Sequence, residues 1–126
     1  MTVVLIVDDS SLARMIVRRC LTSIGLQDVL FREASDGVDA LVCLRAHPID
    51  VVVSDLNMPN LDGVGLLAAM REDPQLRHTP FIVSSSVVSE AKSARLRELG
   101  AAGVVLKPVS PAQFRELLHV FMRGAA

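Results

Sequence analysis

One stretch decides the fold of this chain: Val51-Val52-Val53-Ser54-Asp55-Leu56-Asn57-Met58-Pro59-Asn60-Leu61-Asp62-Gly63. Its run of β-branched residues is typical of a strand that is buried on both faces of a parallel sheet. The run ends in the carboxylate of Asp55, and the pairs Met58-Pro59 and Asp62-Gly63 then predict a sharp turn. Asp55 is therefore predicted at the carboxyl end of a buried strand, which is the edge of an open α/β sheet where ligands bind.

On either side of this stretch, short apolar runs alternate with segments of helical periodicity. Strands are predicted at residues 3–7, 29–34, 49–54, 81–84 and 104–106. The second of them is the most polar, so we expect it near an edge. Five strands alternating with five helices imply a parallel sheet with right-handed crossovers and helices on both faces. We predict one doubly wound (βα)5 domain over residues 1–126, within the size of an ordinary single domain.

The predicted helices have apolar residues at helical spacing and recognisable ends. The first helix carries Leu12, Met15, Ile16, Arg19, Cys20 and Ser23 at this spacing and stops at Gly25. The second helix turns Val38, Leu41 and Leu44 inward, and the third carries Leu66, Leu67 and Met70. The last helix buries Phe114, Leu117, Leu118 and Phe121. Ser110 and Gln113 form a capping box at the start of the last helix, with Pro111 at its first position.

Composition excludes several classes of protein. The 13 Lys and Arg residues balance 14 Asp and Glu residues, and only 3% of the residues are aromatic, so neither charge nor stacking favours direct contact with nucleic acid. No apolar run approaches the ~18 residues of a membrane span, and the apolar run at the N-terminus stops at two aspartates. Cys20 and Cys43 lack metal-ligand spacing and are expected to be reduced thiols. We therefore expect a soluble, cytoplasmic protein without a membrane partner.

Site-type residues end four of the five predicted strands. They are Asp8 and Asp9 after the first, Asp55 after the third, Ser84 to Ser86 at the end of the fourth, and Lys107 after the fifth. Each alone has an ordinary interpretation as a helix cap, a loop residue or a solvated charge. Because parallel strands bring all their carboxyl ends to one edge, the joint pattern instead predicts a single polar site.

The chemistry of that site follows from its charges. Three neighbouring carboxylates repel one another unless a cation is present, and a small set of hard oxygen ligands suits Mg²⁺. Lys107 would pair with an anion or with Asp55, and a serine hydroxyl would add a neutral donor. A metal, an ammonium and a hydroxyl around one carboxylate form a cradle for a phosphoryl group attached to it. Asp55, the central carboxylate, is the candidate nucleophile.

These residues carry a family resemblance. Val7-Asp8-Asp9-Ser10, Ser54-Asp55-Leu56-Asn57-Met58-Pro59 with Asp62-Gly63, and Lys107-Pro108 occur in the order of the family's signatures. Over essentially all 126 residues the chain resembles the receiver domain of two-component response regulators, especially the stand-alone chemotaxis type. The resemblance implies a flavodoxin-like fold with strand order 2-1-3-4-5.

The same resemblance implies roles for single residues. Asp55 would accept a phosphoryl group from the phosphohistidine of a histidine kinase or histidine phosphotransfer protein. Asp8, Asp9, Asp55 and the backbone carbonyl of Asn57 would hold Mg²⁺, and Lys107 would contact the phosphoryl group. The family's switch hydroxyl lies thirty residues after the phosphoacceptor and twenty-two before the lysine, and both spacings select Ser85 over its neighbour Ser84.

The resemblance also implies an output surface, formed by the fourth helix, the fifth strand and the fifth helix. It would bind an output protein or a second copy of the chain. One position departs from the family, because Val104 stands where a Tyr or Phe usually lies three residues before the lysine. The aromatic part of the usual output switch is therefore expected to be missing.

Other functions stay open from the residues alone. A Mg²⁺-dependent phosphatase or phosphotransferase working through an aspartyl-phosphate would need a second acid or base beside Asp55 and a cap over its substrate, and this chain has Asn57 and no long insertion. A pseudo-receiver that only binds partners would not need the full polar set. A nucleotide or flavin binder would need a glycine-rich loop after the first strand, which is absent.

Overall fold

In the computed structural model of the protein, five parallel strands form one sheet. The structure describes residues 1–26 and 28–125, with side chains described up to residue 118. The strands are β1 (Thr2–Val7), β2 (Val29–Ala34), β3 (Val51–Ser54), β4 (Phe81–Ser85) and β5 (Gly103–Leu106). Their order is β2-β1-β3-β4-β5, and every neighbouring pair is parallel. The predicted doubly wound fold and its strand order are confirmed.

Five helices alternate with the strands: α1 (Ser11–Ser23), α2 (Gly37–Ala46), α3 (Gly63–Glu72), α4 (Glu90–Glu98) and α5 (Pro111–Ala125). Polar caps fix where they begin. The side chains of Ser10, Asp36, Asp62 and Ser89 each accept a backbone N–H three residues ahead, at the starts of α1 to α4. Because every helix follows a strand, these helix N-termini lie at the same edge as the carboxyl ends of the strands.

The apolar core has two parts, one on each face of the sheet. Leu5, Val52 and Phe81 pack on the face that α2, α3 and α4 cover, whereas Val4, Val53 and Ile82 pack on the face of α1 and α5. Strands β3 and β4 are buried along their whole length, as expected for central parallel strands. The core therefore occupies both faces, and the carboxyl edge is left to polar groups.

The inward faces of two helices differ from the sequence prediction. In α1 the buried residues are Val17, Cys20 and Leu21, whereas Leu12, Met15 and Ile16 are exposed. In α2 Ala40 and Leu44 are buried, but Val38 is exposed and its predicted inward placement is wrong. Each helix has aliphatic residues on more than one face, so periodicity alone did not select the face that packs against the sheet.

The later helices agree with the prediction where they are described. Leu66, Leu67 and Met70 of α3 are buried, as are Phe114 and Leu118 of α5. The predicted buried position of Phe121 lies outside the described side chains. The Ser110 backbone N–H donates to Gln113 Oε1 at 2.8 Å, which is one half of the predicted capping box. Cys20 and Cys43 are both free thiols.

The two edges of the sheet have different chemistry. At β2, Glu33 binds Arg14 at 2.8 Å and Arg18 at 3.6 Å, and the Arg18 guanidinium lies 5.1 Å from the centre of the Phe31 ring. At β5, Val104 and Leu106 are 40% and 51% exposed. One edge is thus covered by charged side chains and the other presents aliphatic ones. Across the residues that the structure describes, no helix is long and apolar enough to cross a membrane.

Candidate functional site

Three carboxylates meet at the carboxyl edge of the sheet. Asp8 and Asp9 follow β1 and Asp55 follows β3, and one oxygen from each lies within 4.8 Å of the others. Strands β1 and β3 are direct neighbours, so their ends hold these side chains together. Asp8 and Asp55 are buried at 3% and 9% exposure, whereas Asp9 is exposed. The predicted convergence of these three acids is confirmed.

Lys107 follows the edge strand β5, and its side chain reaches the same acids along the carboxyl edge of the sheet. Its Nζ atom lies 3.0 Å from Asp8 Oδ2 and 3.6 Å from Asp55 Oδ2. Its backbone N–H donates to the Ser85 carbonyl at 2.9 Å, which fixes the end of β5 against the end of β4. Burial alone would lower the pKa of Lys107, but its hydrogen bond to Asp8 and the charges of Asp8 and Asp55 outweigh burial and raise it. The ammonium is therefore held in its charged form.

The surroundings of Asp55 disfavour the charged form of its carboxyl. Burial raises the pKa of its carboxyl above the ordinary value, and the negative charge of Asp8 raises it further. The Leu56 backbone N–H donates to Asp55 Oδ1 at 2.8 Å, and this bond and the nearby Asn57 backbone N–H lower the pKa. These donors and Lys107 offset the shift only in part. A bound cation, or a covalent bond to one of its oxygens, would lower the electrostatic cost of this buried carboxylate.

The two serines at the end of β4 are both buried. The Ser85 hydroxyl donates only a long bond, 3.4 Å to the Val87 carbonyl, so it is available to turn to another acceptor. The Ser84 hydroxyl has no hydrogen-bond partner among the described residues. Of the two, Ser85 is the last residue of β4, one position beyond the predicted end of that strand, and its carbonyl accepts from the Lys107 N–H.

Asp55 lies against a loop whose shape depends on a glycine. A Cβ atom on Gly63 would collide with the backbone carbonyl of Asp55 and lie 2.9 Å from the Leu56 Cα. The same loop contains Asn60 at φ 67°, and the Asn60 amide donates to Asp36 Oδ2 at 2.6 Å. The loop after β3 is thereby fixed to the start of both α2 and α3.

Two further cations reach this edge that sequence reasoning did not select. Arg14 of α1 donates to the Asp8 carbonyl at 2.6 Å, and Lys92 of α4 donates to Asn57 Oδ1 at 3.4 Å. Both residues lie within the first turn and a half of a helix that begins at the site. That position was the only available signal, since an arginine or lysine on a polar helix face is usually solvated.

The donors at this edge fit a hard divalent cation. Mg²⁺ prefers a few carboxylate or carbonyl oxygens and keeps several waters. Asp8, Asp9 and Asp55 supply such oxygens within 4.8 Å of one another, and no nitrogen or sulfur ligand lies among them. Asp9 and Asn57 are exposed, which leaves the mouth of the site open to solvent. Asp55 can therefore be reached from outside.

Three comparisons bear on this arrangement. Residues 4–119 match the family model described as response regulator receiver domain. The chain is 38% identical to chemotaxis protein CheY-3 of Vibrio cholerae serotype O1 over 118 residues, which cover 91% of this chain and 87% of the relative. Its fold matches the solved structure of chemotaxis protein CheY4 of Vibrio cholerae with a TM-score of 0.83 and 32% identity, over 94% of this chain and 97% of that one.

A third relative is a solved structure described as the Mn²⁺-bound form of response regulator Rcp1. It matches with a TM-score of 0.77 and 25% identity, over 85% of this chain and 81% of that one. The solved CheY4 structure and this metal-bound structure share the fold of this chain over most of their lengths.

Proposed function

Because the chain belongs to the response regulator receiver family, we propose that it accepts a phosphoryl group on Asp55 and changes a partner-binding surface in response. It is a CheY-like phospho-accepting receiver, and hence a signalling protein and not an enzyme that turns over substrate. The family implies a histidine kinase as phosphoryl donor, directly or through a histidine phosphotransfer protein. We place the whole of residues 1–126 in one receiver domain.

One observation supports Asp55 as the phosphoacceptor. It is the buried carboxylate that lies close both to the acid Asp8 and to the ammonium of Lys107. Burial and then the charge of Asp8 raise the pKa of Asp55, and the Lys107 Nζ atom lies 3.6 Å from Asp55 Oδ2. Its Oδ1 is held by the Leu56 N–H, so Oδ2 is the oxygen free to attack. Asp9 is exposed, and Asp8 is held by Lys107 at 3.0 Å.

In the proposed transfer, an Asp55 oxygen forms a bond to phosphorus while the nitrogen–phosphorus bond of phosphohistidine breaks. The departing imidazole keeps the electron pair of that bond and takes up a proton. The Lys107 ammonium lies where it would face the phosphoryl oxygens, and it neutralises part of their charge. The Ser85 hydroxyl, which now donates weakly to Val87, would donate to a phosphoryl oxygen instead.

The site would hold Mg²⁺ through Asp8, Asp9, Asp55 and the backbone carbonyl of Asn57. When bound, the ion supplies positive charge for the phosphoryl oxygens and lowers the repulsion among the carboxylates. The oxygen-only donor set supports this proposal, as does the Mn²⁺ reported for the related Rcp1. Asp8 serves a second purpose, because its hydrogen bond keeps Lys107 turned into the site.

The test is the intact mass of the protein after incubation with acetyl phosphate and Mg²⁺. We expect one phosphate on the wild type, none on Asp55→Asn, and one on a control with an exposed acid replaced, Asp28→Asn. EDTA should suppress the adduct. Wild-type labelling of Asp55→Asn would overturn the assignment. Release of inorganic phosphate without an adduct would indicate a phosphatase, and an unchanged mass would indicate a pseudo-receiver.

We further propose that the output surface is the face formed by α4, β5 and α5. A shallow groove of about 490 Å³ lies there, lined by Ser86, Val87, Val88, Ser93, Val104 and Leu106. Exposed aliphatic side chains favour contact with an output protein or a second copy of the chain. Val120 and Met122 of α5, which the sequence also suggested for this contact, lie outside the described side chains.

The pathway and location are proposals of the same kind. Both curated relatives from Vibrio cholerae and Pseudomonas aeruginosa are chemotaxis proteins, at 38% identity, which supports a role in chemotaxis signalling. The free thiols Cys20 and Cys43 support a reducing compartment, and we place the protein in the cytoplasm.

A further inference from the structure

We propose that Lys92 is a positioning residue through which helix α4 responds to the charge on Asp55. The inference rests on the function proposed above and goes beyond it, because it names a coupling residue outside the phosphoacceptor, its metal ligands, Ser85 and Lys107. Lys92 would compensate for the missing aromatic ring at Val104.

One hydrogen bond joins Lys92 to the loop that directly follows the phosphoacceptor. The Lys92 ammonium donates to Asn57 Oδ1 at 3.4 Å, and Asn57 follows the phosphoacceptor by two residues in the loop after β3. The Lys92 backbone N–H donates to the capping hydroxyl of Ser89 at 3.2 Å. One residue therefore belongs both to the first turn of α4 and to the rim of the site.

Helix α4 is held weakly at the end that carries Lys92. Leu96 is the only buried residue of the helix, and Ser86, Val87 and Ser89 in the preceding loop are exposed. The other end is held firmly, since the Arg71 guanidinium donates to the Leu99 carbonyl at 2.7 Å and to the Gly100 carbonyl at 3.3 Å. A helix fixed at its carboxyl end and lightly held at its start is suited to small movements of the first turn.

The charges of the site favour such a movement. Lys107 already contacts both Asp8 and Asp55. Among the described residues, Lys92 has no carboxylate within ion-pair distance, so its ammonium is available to a new anion. Phosphorylation adds negative charge and three acceptor oxygens close to Asn57. The ammonium would then move from the neutral Asn57 oxygen toward the phosphoryl group and order the first turn of α4.

The experiment is hydrogen–deuterium exchange of peptides that cover residues 86–95, with and without beryllofluoride and Mg²⁺. Wild type is compared with Lys92→Gln, which removes the charge, and Lys92→Arg, which keeps it. Arg95→Gln is the matched control, because it removes a cation from the same helix that pairs with Glu98 and not with the site. Occupancy by beryllofluoride is measured separately for each variant by fluorine NMR.

We expect beryllofluoride to slow exchange of these amides in wild type, in Lys92→Arg and in Arg95→Gln. In Lys92→Gln the slowing should be about two- to five-fold smaller at equal occupancy, the range for one solvent-exposed charge pair. An undiminished effect in Lys92→Gln would overturn the inference, as would an equal loss in Arg95→Gln. If the wild type takes up neither beryllofluoride nor phosphate, the proposed function itself fails; uptake without a Lys92 effect refutes only the coupling.

Discussion

If Asp55 is phosphorylated as proposed, two side chains are expected beside the path of an attacking water. They are Asn57, two residues after Asp55, and Val87, two residues after Ser85, and Val87 is 77% exposed. Neither is an acid or a base, so neither can take a proton from an attacking water. We therefore predict slow self-dephosphorylation.

Replacing Val87 tests this prediction at a single position. Val87→Glu places a carboxylate at the mouth of the site and should change the decay of the phosphorylated protein measurably. The decay is followed by intact mass after removal of the phosphoryl donor. Val42→Glu is the matched control, because Val42 is a similarly exposed valine on α2, away from the site. Equal decay of the wild type and both variants would contradict the prediction.

The charge of Asp55 also affects stability in the absence of metal. Burial, together with the charge of Asp8, raises the pKa of Asp55 in the folded state. The folded state then binds a proton more tightly than the unfolded state, so this contribution to stability is present below the ordinary aspartate pKa and is lost as pH rises through the folded pKa. At pH 7 the ionised side chain is a net cost.

We therefore predict that Asp55→Asn is more stable than the wild type in EDTA at pH 7. The gain should be of order 1 kcal/mol, an ordinary size for one substitution, and should shrink as the pH falls toward 4. Lys107 keeps its partner Asp8 in the variant, so no cation is left unpaired. Urea unfolding at both pH values measures the difference. A wild type that is the more stable protein at pH 7 would show that Lys107 already neutralises Asp55.

Between β3 and α3, the chain passes so close to itself that one glycine is required. Gly63→Ala would force its methyl group into the Asp55 carbonyl, which is backbone and cannot move alone. Gly65→Ala, two residues on, would meet the end of the Leu61 side chain at 2.6 Å, and that side chain can rotate away.

We predict that Gly63→Ala destabilises the protein by about 1–3 kcal/mol, the usual range for an overpacked site, and slows phosphorylation of Asp55. Gly65→Ala should do less of both. Thermal unfolding and the rate of adduct formation with acetyl phosphate measure the two effects. Equal losses in the two variants would mean that both act through the helix and not through the carbonyl of Asp55.

The two groups proposed to contact the phosphoryl group are Ser85, which ends β4, and Lys107, which follows β5. Val104 of β5 is 40% exposed and is too short to swing between exposed and buried positions. Because a ligand shifts two states only by its different contacts with them, coupling should depend on Ser85 and little on Val104.

The prediction concerns affinity for the output partner, or self-association, with and without beryllofluoride. Ser85→Ala should remove most of the phosphate-dependent gain, and Val104→Ala should change it little. If the gain survives in Ser85→Ala and disappears in Val104→Ala, the switch runs through β5 instead.

At the scale of elements, the sequence identified all strands and helices because breaks between them are marked by proline, glycine and capping residues. It was less accurate on helix faces. Leu12, Met15 and Ile16 are exposed although they have the spacing of a buried stripe. Two aliphatic stripes compete on α1, and only the contact of Val17 and Leu21 with the sheet decides between them. That contact depends on the tertiary structure and leaves no separate signal in the periodicity.

The molecule as a whole should be stabilised by the metal it is proposed to bind. At a Mg²⁺ concentration 100 times the dissociation constant, binding to the native state alone would add about 2.7 kcal/mol to the free energy of unfolding. Asp9→Ala should lose most of this gain, and its own stability without metal should change little because Asp9 is exposed. Thermal unfolding with Mg²⁺ or EDTA measures both. An unchanged melting temperature of the wild type in millimolar Mg²⁺ would contradict the metal site.

The position of the site was predictable from the sequence for a reason that concerns the whole fold. In a parallel sheet the carboxyl ends of all strands share one edge, and the order β2-β1-β3-β4-β5 makes β1 and β3 neighbours, so the meeting of Asp8 and Asp55 followed once the strands and their order were identified. The contacts of Arg14 and Lys92 were not predictable in this way. Their long side chains have many rotamers, and only the neighbouring helices and loops select the ones that reach the edge.

The unlike edges of the sheet limit how copies of this protein could grow into larger assemblies. At β2, the cluster of Arg14, Arg18 and Glu33 opposes the approach of another strand, as charged groups do at edges that must stay free. At β5 the exposed side chains are aliphatic, namely Val104 and Leu106. Two copies that associate symmetrically through β5 bury this surface in both chains. A further copy then cannot add to the dimer at that edge. Head-to-tail growth would need a second receptive edge, and the charged cluster at β2 disfavours that role.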